Sequence, residues 1–136
     1  MRRNAACLGL VAALATALMA CSSKTPEVNP NTIPTNYKQE ILDVLERSIA
    51  DPTNVRDAFI SDPALTPVGK DQRYTACVRF NARDASHRYI GSTDRIAYFY
   101  GGHLNQLVEA SKEQCGNAAY KPFPELEKLC RASKCS

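Results

Sequence analysis

The chain has 136 residues, and 17 Lys+Arg against 14 Asp+Glu give it a formal net charge of +3. That length fits one domain, and fractions of 23% charged and 44% hydrophobic residues exclude a disordered polyelectrolyte and a collagen-like chain. Six cysteines in so short a chain argue against a typical cytosolic protein.

The first twenty residues have the pattern of a secretory signal peptide. A positively charged start, Met1-Arg2-Arg3, is followed by residues 5–20, which carry no charge. This run is shorter than the roughly 20 apolar residues that a membrane-spanning helix needs, which disfavours an uncleaved helical anchor. The Arg2-Arg3 pair lacks the context of twin-arginine export and is interpreted as ordinary leader charge. We therefore predict a signal peptide over residues 1–20.

The end of this leader, Leu18-Met19-Ala20-Cys21, resembles the lipobox of bacterial lipoproteins. Met19 departs from the small or β-branched residue that is most common there. The resemblance implies that Cys21 becomes the first mature residue and carries a diacylglyceryl thioether and an amide-linked chain such as palmitate. Two or three acyl chains would hold the protein on a membrane essentially permanently, whereas one chain binds only marginally. By analogy with enterobacterial sorting, a residue other than Asp after the lipidated cysteine implies the outer membrane. Ser22 occupies that position, so we expect an outer-membrane protein whose domain faces the periplasm.

The mature chain is close to neutral, because loss of Arg2 and Arg3 leaves 15 Lys+Arg against 14 Asp+Glu. Such a domain lacks the long-range positive electrostatic potential that attracts nucleic acid, so no nucleic-acid partner is expected. Residues 21–35 are predicted to be the lipidated N-terminus and a flexible tether, since three prolines and several Asn, Ser and Thr cannot form a core. Residues 36–136 are predicted to form a single domain.

The clearest helix is predicted over residues 36–50. Asn36 and Gln39 have the spacing of a capping box, and Asp51-Pro52 ends the helix because proline disfavours helical geometry in the residue before it. Its apolar residues recur at helical spacing and comprise Tyr37, Ile41, Val44, Leu45 and Ile49.

Strands follow the helix, with the alternation of a half-buried antiparallel sheet. They are predicted over residues 55–60, 73–82, 89–100 and 103–110. Gly91 indicates a bulge, and Gly101-Gly102 indicates a tight hairpin. Residues 120–124 are predicted to be extended, and Pro124 suits the first turn of a short helix over 125–131. The order predicts an α+β fold, with an N-terminal helix packed on a roughly four-stranded antiparallel sheet and a short C-terminal helix.

Four cysteines remain for the mature domain once Cys7 has left with the leader and Cys21 is lipidated. They are Cys77, Cys115, Cys130 and Cys135. Three pairings are possible, and the sequence alone does not choose between them. We expect structural disulfides Cys77–Cys115 and Cys130–Cys135. A redox-active pair or a zinc site is the alternative, but the chain lacks Cys-x-x-Cys, and we expect no metal and no cofactor.

Few residues are candidates for catalysis. Cys77 and His103 are a conceivable nucleophilic pair across the sheet, which a disulfide would abolish. Asp57, Asp84 and Asp94 are conceivable paired carboxylates, although nothing in the sequence marks a cleft between them. They are more readily explained as turn residues and a solvated face, so no catalytic residue is predicted.

The densest basic stretch has tyrosines interleaved with its arginines. Its simplest interpretation is a charged solvent face of a sheet. The functional interpretation is an anionic envelope partner, such as lipopolysaccharide phosphate, peptidoglycan carboxylate or an acidic protein. The candidate binding residues are Arg79, Arg83, Arg88 and Arg95.

Three segments together resemble small proteobacterial lipoproteins and periplasmic proteins. They are Asp51-Pro52-Thr53-Asn54-Val55, Cys77-Val78-Arg79-Phe80-Asn81-Ala82-Arg83-Asp84 and Tyr89-Ile90-Gly91. In those proteins a helix ends at Asp-Pro and a strand with Cys-x-x-x-Asn-Ala follows. The resemblance implies an α+β fold and no assigned activity.

These observations favour a membrane-anchored envelope lipoprotein that acts as a non-enzymatic structural or interaction module. Its expected contacts are the membrane, through lipid on Cys21, and an envelope protein, peptidoglycan or lipopolysaccharide. The alternative is a periplasmic inhibitor of a lysozyme- or protease-like hydrolase, which would present the loop 83–88 to its target. A small hydrolase would need a nucleophile–base pair that the sequence does not reveal.

Overall fold

A computed structural model describes residues 23–129 of the chain. The predicted signal peptide, Cys21 and the Cys130–Cys135 pair lie outside the described residues. The described part is an α+β fold in which one helix precedes a sheet and two short helices follow its long strands. Its elements are α1 (Tyr37–Ser48), β1 (Asp51–Ile60), β2 (Ala64–Val68), β3 (Asp71–Arg83), β4 (Tyr89–Tyr100), β5 (His103–Glu109), α2 (Lys112–Cys115), β6 (Lys121–Pro122) and α3 (Pro124–Glu127).

The sheet has six antiparallel strands in the order β5-β4-β3-β1-β6, and β2 also pairs with β3. The prediction of four strands is therefore wrong by two. The first of the two further strands, β2, was not predicted, and β6 lies within residues 120–124, which were predicted to be extended but not to pair with the sheet. Each contains a proline, Pro67 in β2 and Pro122 in β6. Proline removes a backbone donor and suits the edge of a sheet, so neither segment shows a regular strand pattern. The helix also begins well inside the chain, so it is N-terminal only to the sheet.

Helix α1 covers one face of the sheet. Ile41 and Leu45 are completely buried, and they lie four residues apart, on the same side of the helix. Alternate residues of β3 and β4 pack against them in the same buried cluster, which also includes Phe123. These strand residues are Ala76, Val78, Phe80 and Ala82 of β3 and Ala97 and Phe99 of β4. This packing confirms the predicted apolar stripe in its main positions.

The capping box predicted at the start of α1 is wrong. Asn36 makes no side-chain hydrogen bond to the helix, and Gln39 donates instead to the Asp43 carboxylate, Nε2 to Oδ1 at 2.8 Å. The backbone of Asn36, at φ −105° and ψ 24°, is not in the extended conformation that aims a capping side chain at the helix. A capping box forms later in the chain, at Ser111 and Gln114 before α2.

The opposite face of the sheet carries a disulfide. Cys77 in β3 is bonded to Cys115 at the end of α2, with their Cα atoms 5.8 Å apart, which confirms this pairing. Both residues are buried with Ile96. Strand alternation explains the arrangement, because Cys77 points away from the face that Ala76 and Val78 present to α1.

The predicted turns of β4 are confirmed. Gly101 and Gly102 have φ of +59° and +83° and close the hairpin between β4 and β5, a backbone conformation that glycine adopts without strain. A bulge lies at Gly91, because Asn81 pairs with Ser92 while Arg83 pairs with Tyr89.

Part of the segment predicted to be a flexible tether is held against this hairpin. The Gly101 N–H donates to the Pro30 carbonyl at 3.0 Å, and Asn29 forms a local turn in which its Oδ1 accepts the Asn31 N–H at 3.0 Å. Pro34 is buried. The tether was predicted over residues 21–35, but contacts with the hairpin already begin near Pro30, so the flexible part is shorter than predicted. Within residues 23–129 no helix is long and apolar enough to cross a membrane.

Replacing Gly101 with Ala is expected to destabilise the fold and release the segment that packs on it. The left-handed backbone alone should cost about 1 kcal/mol, and the new Cβ would lie 2.7 Å from Cγ1 of Val28. Urea denaturation and limited proteolysis of residues 24–33 measure the two effects.

Gly69→Ala is the matched control, because Gly69 has φ +61° with nothing within 4 Å of its added Cβ. It should cost about 1 kcal/mol and leave the proteolysis pattern unchanged. Equal losses of stability and identical cleavage in the two variants would show that the segment does not pack on Gly101.

Candidate interaction site

A loop of residues 84–88 joins β3 and β4 at one end of the sheet. Its organising group is the Asp84 carboxylate, whose Oδ1 accepts the N–H groups of Ser86 at 2.8 Å and Arg88 at 3.0 Å. These backbone hydrogen bonds, that of Arg88 foremost, hold the pKa of Asp84 below its usual range. Residues 85–88 are exposed. We call this segment the β3–β4 loop; its backbone is fixed while its side chains face solvent.

The base of the loop is tied to a buried carboxylate at the start of β1. The Asp51 side chain is 5% exposed, and its Oδ2 lies 2.7 Å from Arg83 Nη2 and 2.8 Å from His87 Nδ1. Its Oδ1 accepts the Thr53 N–H at 3.0 Å and the Thr53 hydroxyl at 2.5 Å. Both carboxylate oxygens therefore meet donors, which is the condition under which a buried charge is tolerated.

These contacts keep Asp51 ionised. The hydrogen bond from the Thr53 hydroxyl, then that with His87, hold the pKa of the Asp51 carboxyl far below its usual range, against the opposing effect of burial. His87 has φ +61°, a conformation that non-glycine residues seldom adopt. The Asp51 contact and the hydrogen bond from the His87 N–H to the Asp84 carbonyl, 3.0 Å long, hold it there. The network thus fixes both the loop and a strained residue within it.

The Asp51–His87 pair has the form in which a carboxylate orients an imidazole for general-base work. The nearest hydroxyl in the network, that of Thr53, is bonded to Asp51 itself. Among residues 23–129, the hydrogen bond found for the His87 ring is the one to Asp51, and none joins it to a hydroxyl or thiol. What the arrangement does is position the His87 side chain, 65% of which is exposed, at the surface.

The four candidate arginines do not form one patch. Arg79 makes a bidentate pair with Asp94 at 2.7 and 3.0 Å, and its guanidinium lies 4.6 Å from the ring of Tyr120. Its hydrogen bonds lower the pKa of Asp94, and burial raises the pKa of Tyr120 to about 12. Arg95 is the register partner of Val78 and lies on the other face, 5.7 Å from the Phe80 ring.

Arg83 and Arg88 flank the β3–β4 loop but differ in what they can offer a partner. The Arg83 side chain is 22% exposed and paired with Asp51. The Arg88 side chain is 79% exposed, with Asp84 at 3.6 Å as its ion-pair partner. An exposed pair of this kind contributes little to stability and is easily exchanged for another anion. Arg88 is thus the predicted binding residue that the structure leaves accessible at the loop.

The other candidates are separated. His103 lies 2.9 Å from Oε1 of Glu40 in α1, whereas Cys77 is in its disulfide on the opposite face, so the Cys77–His103 pair does not exist. Asp57 is exposed in β1, and Asp84 and Asp94 have the separate partners given above. Among residues 23–129, no group of three or more His, Cys, Asp or Glu side chains could hold a metal ion.

Sequence reasoning missed Asp51 and Thr53, the centre of the network. The sequence interprets Asp51-Pro52 as the end of the helix and, with Thr53, as part of the resemblance to small lipoproteins, and gives neither side chain a role. The available signal was local, since an Asp followed two residues later by Thr has the spacing of a side chain-to-backbone turn. No local signal places His87, 36 residues further on, against that carboxylate.

Comparison with protein-family models, with curated proteins and with solved structures gave no match.

Replacing Asp51 with Asn should lower the free energy of unfolding at neutral pH by about 2 to 3 kcal/mol, because Arg83 loses its counter-charge in a largely buried setting. Folding lowers the pKa of Asp51. The stabilisation that ionised Asp51 provides is therefore complete above the pKa of an unfolded-state Asp, about 4. It is lost as the pH falls toward the lower pKa of Asp51 in the folded state. The free energy of unfolding of the Asp51→Asn variant should accordingly fall less than that of the parent on acidification below about pH 4. Urea denaturation at a series of pH values measures it.

Asp57→Asn is the control, because Asp57 is exposed and in the left-handed region that Asn tolerates. Its stability should stay within about 0.5 kcal/mol of the parent, with the parent's acid dependence. Parallel pH profiles for Asp51→Asn and the parent would contradict the role assigned to this carboxylate.

Proposed function

We propose that this chain is an exported, lipid-anchored envelope lipoprotein that acts as a non-enzymatic interaction module. The observation that carries the proposal is the Cys77–Cys115 disulfide, which links the central strand to α2. Structural disulfides persist in oxidising compartments and are rare where thiols are kept reduced. The leader ending in Leu18-Met19-Ala20-Cys21 supplies the matching export route.

The proposed anchor is acylated Cys21, on the outer membrane and facing the periplasm. Several acyl chains on one residue are enough to hold a protein of this size, since each buried CH₂ contributes about 0.8 kcal/mol. The domain contributes interactions on the periplasmic side, with an envelope protein, peptidoglycan or lipopolysaccharide as the partner classes.

The proposed interaction surface is the β3–β4 loop. Ser86, His87 and Arg88 are exposed, while Asp84 and Asp51 fix the backbone beneath them. A loop that is already ordered loses little conformational freedom on binding, so more of its contact energy appears as affinity. The exposed cation of Arg88 favours an anionic group on the partner.

The same rigidity favours the alternative, an inhibitor of a lysozyme- or protease-like hydrolase. An inhibitor of this kind inserts a loop into a cleft, and the loop must keep its shape there. The hydrogen bonds of Asp84 and the contact between His87 and Asp51 hold the β3–β4 loop in one conformation. The two candidates differ in their partner, an assembly component or a hydrolase.

Mass spectrometry of the mature protein should find Cys21 at the N-terminus with the added mass of its acyl chains. The Cys21→Ala variant should lose that mass and leave the membrane fraction, because the anchor is the thioether on that sulfur. Ser22→Ala is the control and should remain lipidated. An intact, soluble chain that retains its leader inside the cell would contradict the proposal.

Arg88→Glu should weaken capture of the partner by about tenfold, equivalent to about 1.4 kcal/mol for one charged contact. The measurement is a quantitative pull-down from envelope extracts with the lipidated protein. Arg83 is unsuitable for this test, because its guanidinium neutralises the buried Asp51.

Lys112→Glu makes the same charge change at an exposed position in α2 and should leave capture unchanged. A stoichiometric hydrolase in the eluate favours the inhibitor, and an assembly or secretion complex favours the module. Equal capture by both variants would show that the β3–β4 loop is not the binding surface.

A further inference from the structure

The segment before α1 meets the sheet at the β4–β5 hairpin turn. Val28 lies against Gly101, and Thr32 lies against Gly102, where an added Cβ would approach Cγ2 to 3.1 Å. Together with the hydrogen bond from Gly101 to Pro30, these contacts place residues 28–33 at one particular end of the domain. We call it the hairpin end; it comprises residues 28–33, 69–70 and 100–103.

Strand register defines the two ends. Tyr98 in β4 is opposite Thr75 in β3, and Tyr89 is opposite Arg83. The turns β2–β3 and β4–β5 therefore lie at the hairpin end, and the β3–β4 loop lies at the other. At about 3.4 Å per residue, the 12 residues of β4 separate these ends by roughly 40 Å.

The proposed lipid is close to the hairpin end along the chain. Only seven peptide bonds join Cys21 to Val28, so the fully extended chain reaches at most about 25 Å, and a flexible one spans about 15 Å. Residues 24–28 are exposed. The bilayer surface is therefore within reach of this end, whereas the β3–β4 loop lies a further strand length away.

The hairpin end exposes large apolar side chains. Val28 is 56% exposed, Ile33 63% and Tyr100 47%. A tyrosine is suited to the headgroup level of a membrane, because its ring is apolar and its hydroxyl is polar. The Arg73 guanidinium lies 5.6 Å from the Tyr100 ring, and Lys70 is exposed at the neighbouring turn. Arg73 is paired with the Asp71 carboxylate at 3.4 Å, so Lys70 is the cation that matches a lipid phosphate.

We propose that the hairpin end rests on the lipid bilayer through Val28, Ile33 and Tyr100, so that the β3–β4 loop points away from the membrane. This inference depends on the proposed lipidation of Cys21. Three side chains bind a bilayer weakly on their own, but the anchor keeps them at high local concentration beside it. The loop would then meet its partner at a distance of roughly one strand length, about 40 Å, from the bilayer.

The natural chain has no tryptophan, so single-tryptophan variants can report the depth of each position. Tyr100→Trp and Ile33→Trp place the probe at the hairpin end. Ile90→Trp is the matched control, because Ile90 is 63% exposed on β4 beside the β3–β4 loop. Each lipidated variant is reconstituted in vesicles of phosphatidylethanolamine and phosphatidylglycerol that contain a brominated phosphatidylcholine, which quenches tryptophan on contact.

We expect several-fold stronger quenching, and a blue-shifted emission, in Tyr100→Trp and Ile33→Trp than in Ile90→Trp. Circular dichroism checks each fold, and Ile33→Trp carries the test if Tyr100→Trp does not fold. Equal quenching at both ends, or stronger quenching in Ile90→Trp, would overturn the orientation and leave the anchor intact. Protection of the hairpin end only after envelope protein is added would also overturn it, since a protein would then cover that end.

Mass spectrometry of the same samples separates failure of this inference from failure of the proposed function. Acylated Cys21 with the wrong quenching pattern rejects the orientation alone. Absence of acyl chains on Cys21 rejects the proposed anchor, and the orientation falls with it.

Discussion

The central strand β3 must be covered on both faces, because its residues alternate between them and those from Thr75 to Val78 are all buried. One face is covered by α1, mainly through apolar packing, with Glu40 of α1 also accepting from the start of β5. The other is covered by α2 and the segment after it. A helix of four residues has no stability of its own, so the disulfide to Cys77 fixes what packing cannot. On the chain-entropy account, closing a loop of 38 residues contributes about 4 kcal/mol.

The second constraint is the buried charge at the start of β1. Asp51 joins the first residues of one strand to the far end of β3 through Arg83, and to the β3–β4 loop through His87. A buried ion pair of this kind is a modest source of net stability, because desolvation offsets much of the attraction. Its effect is geometric, since the contact between His87 and Asp51 ties the surface loop of residues 84–88 to the start of β1.

The topology places two features at opposite ends of the sheet. The segment that leads to the proposed anchor packs at the β4–β5 turn, and the β3–β4 loop lies at the other end. A long antiparallel strand pair produces this separation directly, because successive hairpins place their turns at alternate ends. In the proposed function, attachment and recognition would therefore be carried by opposite ends of one small domain.

Local features of the fold could be read from the order of the residues. The stripe of Ile41 and Leu45, the alternation around Val78 and the Gly101-Gly102 turn each depend on residues a few positions apart, so helix, main strands and hairpin could be predicted. The strand β2, which contains Pro67, was not predicted. The segment that forms β6 was predicted to be extended, but its pairing with β1 depends on residues far away in the chain. The sequence left three cysteine pairings open, and the fold selects the expected Cys77–Cys115. The contacts of Pro30 with Gly101 and of His87 with Asp51 emerge only in the folded chain. The tertiary structure also separated Arg79 from Arg95, which occupy neighbouring strands but opposite faces. Contacts between residues far apart in the chain depend on strand register and on which face is turned inward, and no local pattern encodes either.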